Sequence, residues 1–205
     1  MQKGIERRFA RAWMAHEKRA DQKDAMGYSE VGILTGHAAV FGMLSEDLSY
    51  FREKIDKGAF EDSIAKDDVR ALFNHDPNFI LGRTGPKTLR MREDDRGLYV
   101  EIDLPDTQLA RDLAVSIGRG EVSQMSLAFE TIMDAWDFTD RDNPIRTLKK
   151  VRLYDVSPVT YPAYADTDVE VALRSMNDAR AQLAPPLPPV PYRLLLRKRK
   201  MALTA

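Results

Sequence analysis

The chain has 205 residues, 31 Lys and Arg against 32 Asp and Glu for a formal net charge of -1, and no cysteine. That length suits one domain with tails and is enough to bury a core unaided. The missing thiols exclude a disulfide framework, a thiol nucleophile and thiolate zinc sites, and the balanced charge excludes a global field that recruits nucleic acid.

No apolar run approaches the ~20 residues needed to span a bilayer. Met1 to Ala25 carries charges throughout, without the apolar stretch of a signal peptide. A soluble, non-secreted protein is expected. Ile5 to Ala20 reads as a charged helix, with Ile5, Phe9 and Trp13 at i, i+4 spacing as a narrow apolar stripe. Its mixed charges suit a peripheral arm better than a membrane-surface helix. Beyond Gly27, Val31 to Met43 is apolar and reads as one or two strands bounded by Gly32, Gly36 and Gly42. Glu53 to Ile64 includes a short helix around Phe60 and Ile64. Val69 to Phe73 is a strand that runs straight into Asn74-His75-Asp76-Pro77.

Leu89 to Met91 and Gly97 to Leu104 are strand-like, with the charged turn Arg92 to Arg96 between them. The next helix is capped by Asp106 or Thr107, shows one face through Leu109, Leu113 and Ile117, and stops at Gly118 and Gly120. Val122 to Ile132 and Leu148 to Val159 are two further strands, joined by a polar loop with Asp140, Asp142, Asn143 and Pro144. Strands with two or three inserted helices, and no alternation of βαβ units, point to a mainly β (α+β) fold, a closed β-barrel surrounded by helices. The predicted organisation is a charged helical arm over 1–28, one domain over 29–174, and a tail over 175–205. The organised region is expected to end near Leu173. The tail holds the polyproline-type linker Ala184 to Pro191 and the basic cluster Arg197 to Lys200.

Three separated stretches carry the chemistry: Asn74-His75-Asp76-Pro77, Ser123 to Phe129, and Leu153 to Val159. A base, a hydroxyl and a carboxylate are the parts of a serine-nucleophile site. Strand alternation puts Met125, Leu127 and Phe129 on the core face and Ser126 on the other, so Ser126 is the better nucleophile candidate. Ser123 sits at the strand entry with the parity of the apolar set, where a hydroxyl bonded to local backbone is the ordinary outcome. His75 lies at a strand end before Pro77, which is expected to stop the strand. For the carboxylate, Asp76 adjoins His75, but neighbouring side chains on extended backbone face opposite ways. Asp155 interrupts the apolar segment Val151, Leu153, Val156, Val159, and a buried carboxylate there needs a partner. That partner is either His75 or a nearby cation such as Arg152, Lys149 or Lys150. His37 reads as a satisfied sheet residue and His16 as a helix surface residue. No ligand cluster suggests a metal.

Further segments join these in a recognisable order: Gly36 to Phe41, Phe51 to Ile55, Gly58-Ala59-Phe60, Val69 to Asp76, Leu81 to Thr84, Gly97 to Val100, Ser123 to Phe129 and Tyr154 to Tyr164. Over roughly Val31 to Ala172 the chain resembles the prohead (capsid maturation) serine proteases of tailed bacteriophages, which are similar in fold to the herpesvirus assemblins. The resemblance implies a herpesvirus-protease-like barrel and a serine endopeptidase without cofactor. The family's Ser falls on Ser126 and its His on His75. Asp155 stands where members often carry Glu, and His37 where they often carry Tyr. It further implies action inside the assembling procapsid in the host cytoplasm, on scaffold and capsid-protein extensions and on the protease itself. The assemblins point to a homodimer or higher self-association as the active form, and to the Pro158 to Tyr164 loop for the oxyanion donors. No nucleic-acid or membrane partner is expected. A non-catalytic procapsid assembly or scaffold-binding domain would keep the same apolar pattern, but has no need of His75 and Ser126 together.

Overall fold

In the computed structural model the described residues are 5–10, 14–17, 31–48, 50–161 and 169–183. The strands are β1 (Ile5–Ala10), β2 (Met14–Glu17), β3 (Ile33–Val40), β4 (Arg52–Ile55), β5 (Arg70–Phe73), β6 (Asp76–Arg83), β7 (Leu89–Glu93), β8 (Gly97–Asp103), β9 (Gln124–Asp137) and β10 (Ile145–Val159). The helices are α1 (Glu61–Lys66), α2 (Gln108–Gly118) and α3 (Val169–Leu183).

One sheet runs β1-β9-β10-β5-β6 and the other β2-β3-β8-β7. β10 is the spine of the first. Its whole length pairs antiparallel with β9, while its other flank takes β4 in parallel at Ile145 to Leu148 and β5 in parallel at Asp155 and Val156. Both sheets and α2 contribute to one core, through residues such as Leu34, Ile102, Leu113, Leu127, Phe129 and Val156. α2 forms as its sequence predicts: the Thr107 hydroxyl accepts from the Ala110 N–H at 3.3 Å, and Leu113 and Ile117 are buried. Just beyond it, Gly120 takes φ 78°, a left-handed value that suits glycine.

Three expectations are corrected. In place of the expected closed barrel the described residues show a curled half-barrel sheet with the four-stranded sheet packed against it, and among them no continuous ladder joins the two. Where β6 meets β7 and β8 the approach is too close for side chains. A Cβ on Gly82 would sit 2.8 Å from the Thr88 carbonyl oxygen and 3.0 Å from Ile102. The cross-link there is the Arg83 N–H donating to the Thr88 hydroxyl at 3.0 Å.

The N-terminal helix is replaced by strands β1 and β2. Backbone pairing with β9 and β3 gives these segments tertiary partners that local helix periodicity cannot anticipate. At the other end the ordered chain passes Leu173 and continues as α3 to Leu183. Ala172 packs there with Phe51, Leu48 and Trp136. The Pro-rich linker and the basic cluster lie outside the described residues.

Arg146 ties four strands together while 1 % exposed at its side chain. It donates to Glu6 of β1 at 2.6 and 3.2 Å, Glu53 of β4 at 3.0 Å, and Asp134 and Thr131 of β9 at 2.7 and 3.1 Å. Burial works against its charge, but the Glu6 hydrogen bonds and the Glu53 and Glu6 charges outweigh it, so its pKa lies above the usual arginine value. Burying charge with too few partners is costly, so Arg146→Leu, which leaves Glu6 and Glu53 sharing Arg8 and removes the Asp134 partner, should lower unfolding free energy by about 3–5 kcal/mol in denaturant titrations.

Candidate active site

The β9–β10 pair sets the site's first two residues. Ser126 faces Ser157 and Ala128 faces Asp155 across the ladder. Lower down, Leu153 faces Phe129, so Tyr154 is an extra residue and the register shifts there. The shift reverses side-chain parity. Val151, Leu153 and Val156 all reach the core, although 153 and 156 differ by an odd number. Asp155 and Ser157 thereby join Ser126 on the opposite face. All three are buried: Ser126 and Ser157 are 0 % exposed and Asp155 is 8 % exposed.

The third residue arrives on the β5–β6 hairpin. Asn74 (φ 54°) and His75 (φ 58°) are the two turn residues, both left-handed, the conformation of a tight hairpin whose twist matches its strands. Asn adopts this conformation readily; a histidine there is uncommon and strained. Pro77 does not stop the strand as expected. It lies within β6, the outermost strand of its sheet, where a missing N–H can face away from the ladder. Asn74 holds the turn against the end of β10. Its N–H donates to the Pro158 carbonyl at 3.0 Å, its Oδ1 accepts from the Thr160 N–H at 2.8 Å, and its Nδ2 donates to the Thr160 hydroxyl at 3.2 Å.

So held, the imidazole bridges the other two groups. His75 Nε2 lies 2.7 Å from Ser126 Oγ and Nδ1 lies 2.6 Å from Asp155 Oδ1. The same carboxylate oxygen accepts from the Ser157 hydroxyl at 2.6 Å. A proton on Nδ1, donated to Asp155, leaves the Nε2 lone pair free to accept from Ser126. The Ser126 hydroxyl has a second acceptor, the Arg8 carbonyl of β1 at 3.2 Å. Among the described residues no three His, Asp or Glu side chains gather as a metal would require.

The model of the caudovirus prohead serine protease family matches residues 17–182. The chain belongs to this family. Among solved structures, the bacteriophage T4 capsid assembly protease, gp21, is similar with TM-score 0.45 and 13% identity, over 77% of this chain and 99% of that one. No curated protein matches the sequence.

The remaining candidates fall elsewhere in this prohead protease. Asp76 turns back on its own hairpin, accepting from Asn78 N–H and Nδ2 at 2.9 Å each. Ser123 is exposed just before β9. His37, on β3, bonds Asp94 at 2.8 Å through Nε2 and meets Tyr99 edge-on. Although partial burial resists it, the Asp94 carboxyl is held at about 2 by the Gly97 N–H, His37 and the Arg96 N–H. His16 lies on β2, a strand where a helix was predicted. Of the loop expected to supply oxyanion donors, Pro158 has no N–H and the Thr160 N–H is taken by Asn74; 162–164 lie outside the described residues.

Two residues escaped the sequence reading. Ser157 carried a signal, since it shares parity with Asp155. Asn74 carried one in its type, an αL-tolerant residue at a strand end. Asn74→Ala removes the two side-chain contacts to Thr160 and the conformational tolerance, so peptide hydrolysis should fall about 10- to 100-fold through misplacement of His75. Asn74→Gly, which keeps the backbone conformation, should recover the melting temperature without recovering hydrolysis.

Proposed function

We propose that this prohead protease is a serine endopeptidase with Ser126 as nucleophile, His75 as general base and Asp155 as the group that orients His75. The observation that carries the reading is the continuous chain Ser126 Oγ, His75 Nε2, His75 Nδ1, Asp155 Oδ1, with contacts of 2.7 and 2.6 Å. Side chains from two strands and one hairpin turn meet there with no structural need for a strained histidine turn.

His75 Nε2 removes the Ser126 hydroxyl proton as Oγ attacks a peptide carbonyl. The imidazolium, stabilised by Asp155, returns that proton to the leaving amine, and an acyl-enzyme remains. Water, deprotonated by the same nitrogen, releases the acyl group. Asp155 keeps the ring in the tautomer that accepts at Nε2, and Ser157 holds Asp155. The substrates are the scaffold and the major capsid protein's extension, with the protease itself as a further substrate, all inside the procapsid in the host cytoplasm. Self-association concentrates the enzyme there, with a homodimer as the first form to test. The protease domain comprises 29–174 together with β1, β2 and the rest of α3. No described helix is long and apolar enough to cross a membrane.

Ser126→Ala should abolish cleavage of capsid and scaffold polypeptides with an unchanged circular dichroism spectrum, while Ser123→Ala should keep most activity. Cleavage by Ser126→Ala above background would move the reading to a different nucleophile or to a non-catalytic assembly domain. The carboxylates are separated in the same assay. Asp155→Asn should lower turnover by ~10³–10⁴, the scale on which a wrong imidazole tautomer acts, with little change in KM. Asp76→Asn, which loses a hairpin contact, should stay within a few-fold of the unsubstituted enzyme.

A further inference from the structure

β10 changes its outer neighbour in mid-strand. β4 accompanies it only as far as Leu148, and β5 joins it only at Asp155. All three register shifts of the β9–β10 ladder fall inside that gap, the last of them at Tyr154. A strand held by a ladder on one flank alone has its register weakly specified, and a bulge there can move along it. If the extra residue slipped past Asp155, the carboxyl would turn from His75 to the core face.

The gap is filled by the β4–α1 connection and by α1. The Asp56 N–H donates to the Leu148 carbonyl at 3.1 Å, and the Val151 N–H donates to the Ala59 carbonyl at 3.0 Å. Two residues on, the Leu153 N–H donates to a side chain, Ser63 Oγ, at 2.8 Å. Ser63 is the third residue of α1 and is 1 % exposed. Its own proton goes to Asp67 Oδ2 at 2.7 Å, which leaves a lone pair directed at Leu153. Asp67, the C-cap of α1, is fixed in turn by its N–H, which donates to the Ser63 carbonyl at 2.9 Å. A serine inside a helix ordinarily faces water or bonds a carbonyl of its own helix. Here the hydroxyl stands in for a missing strand at the residue just before the bulge. The pairs Lys149–Asp56 and Lys150–Asp62 join the same two elements at the surface, where ion pairs constrain little.

We propose that Ser63 is a positioning residue of the site: its hydroxyl fixes the bulge at Tyr154 and so keeps Asp155 on the face of His75. It acts through β10, not by contact with the reacting atoms. The inference rests on Asp155 being the group that orients His75.

The test uses the full chain and reads the low-field proton resonance of the His75 Nδ1–H bonded to a carboxylate, assigned by its loss in Asp155→Asn. In Ser63→Ala this resonance should weaken or move, and the Leu153 amide should exchange faster with solvent. Turnover should fall about 10-fold or more with KM little changed, the pattern of a misplaced catalytic group. Ser63→Thr, which keeps the hydroxyl, should keep the resonance. A Ser63→Ala protein that melts at lower temperature but retains the resonance and the turnover overturns the proposal, leaving Ser63 a packing residue only. If Ser63→Ala does not fold, Asp67→Ala decides: it frees the hydroxyl to rotate away from Leu153 and should weaken the same resonance, and an unchanged resonance overturns the proposal. An unsubstituted protein with neither the resonance nor hydrolysis that depends on Ser126 overturns the Ser126–His75–Asp155 reading, and the role of Ser63 with it.

Discussion

One extra residue in β10 governs the site. Without the shift at Tyr154, Asp155 would share the face of Leu153 and lie in the core, an ionised group among aliphatic side chains. With it, the same strand fills the core through Leu153 and Val156 and presents Asp155 and Ser157 on the reverse side. The apolar packing that holds the half-barrel together and the polar row that meets His75 are thus two faces of one register. A change in that register would alter both at once.

The histidine is brought to this row by a different device. A left-handed conformation at two successive residues costs free energy, on the order of 1–2 kcal/mol each for a residue with a side chain. Here the cost is offset by the Asn74 bonds to Pro158 and Thr160 and by the His75 bonds to both partners. Because Pro158 lies at the end of β10 and Thr160 directly follows it, the strand that carries Asp155 also positions the turn that carries His75. The distances of 2.6 and 2.7 Å follow from this shared support.

The central features were legible in the sequence because they are local. Alternation through Met125, Leu127 and Phe129 told which face Ser126 takes. The parity break between Val151, Leu153 and Val156 marked Asp155 as out of place, though it does not by itself announce a bulge. The cap at Thr107 and the face through Leu113 and Ile117 located α2. What escaped depended on distant partners. Ile5, Phe9 and Trp13 read as a helical stripe until β9 and β3 are known to pair with this stretch of chain. The hairpin at Asn74-His75 lacks the glycine that usually marks such a turn, so Pro77 looked like a strand's end. α3 packs through Ala172 and Leu173 on Phe51, Leu48 and Trp136, partners distant in the chain. Barrel closure is a property of sheet edges, and no run of residues encodes it directly.

The chain order of the β1–β9 contact has a consequence for biosynthesis. Arg8 and Ser126 are separated by 118 positions, and Asp155 is made later still. A chain emerging from the ribosome amino end first therefore has Ile5–Ala10 waiting in solution long before β9 appears. By the time β10 delivers the last polar group, the covering strand has been available throughout. On this order of events the newborn molecule never passes through a stage in which the site is complete and the strand that covers it has yet to be made.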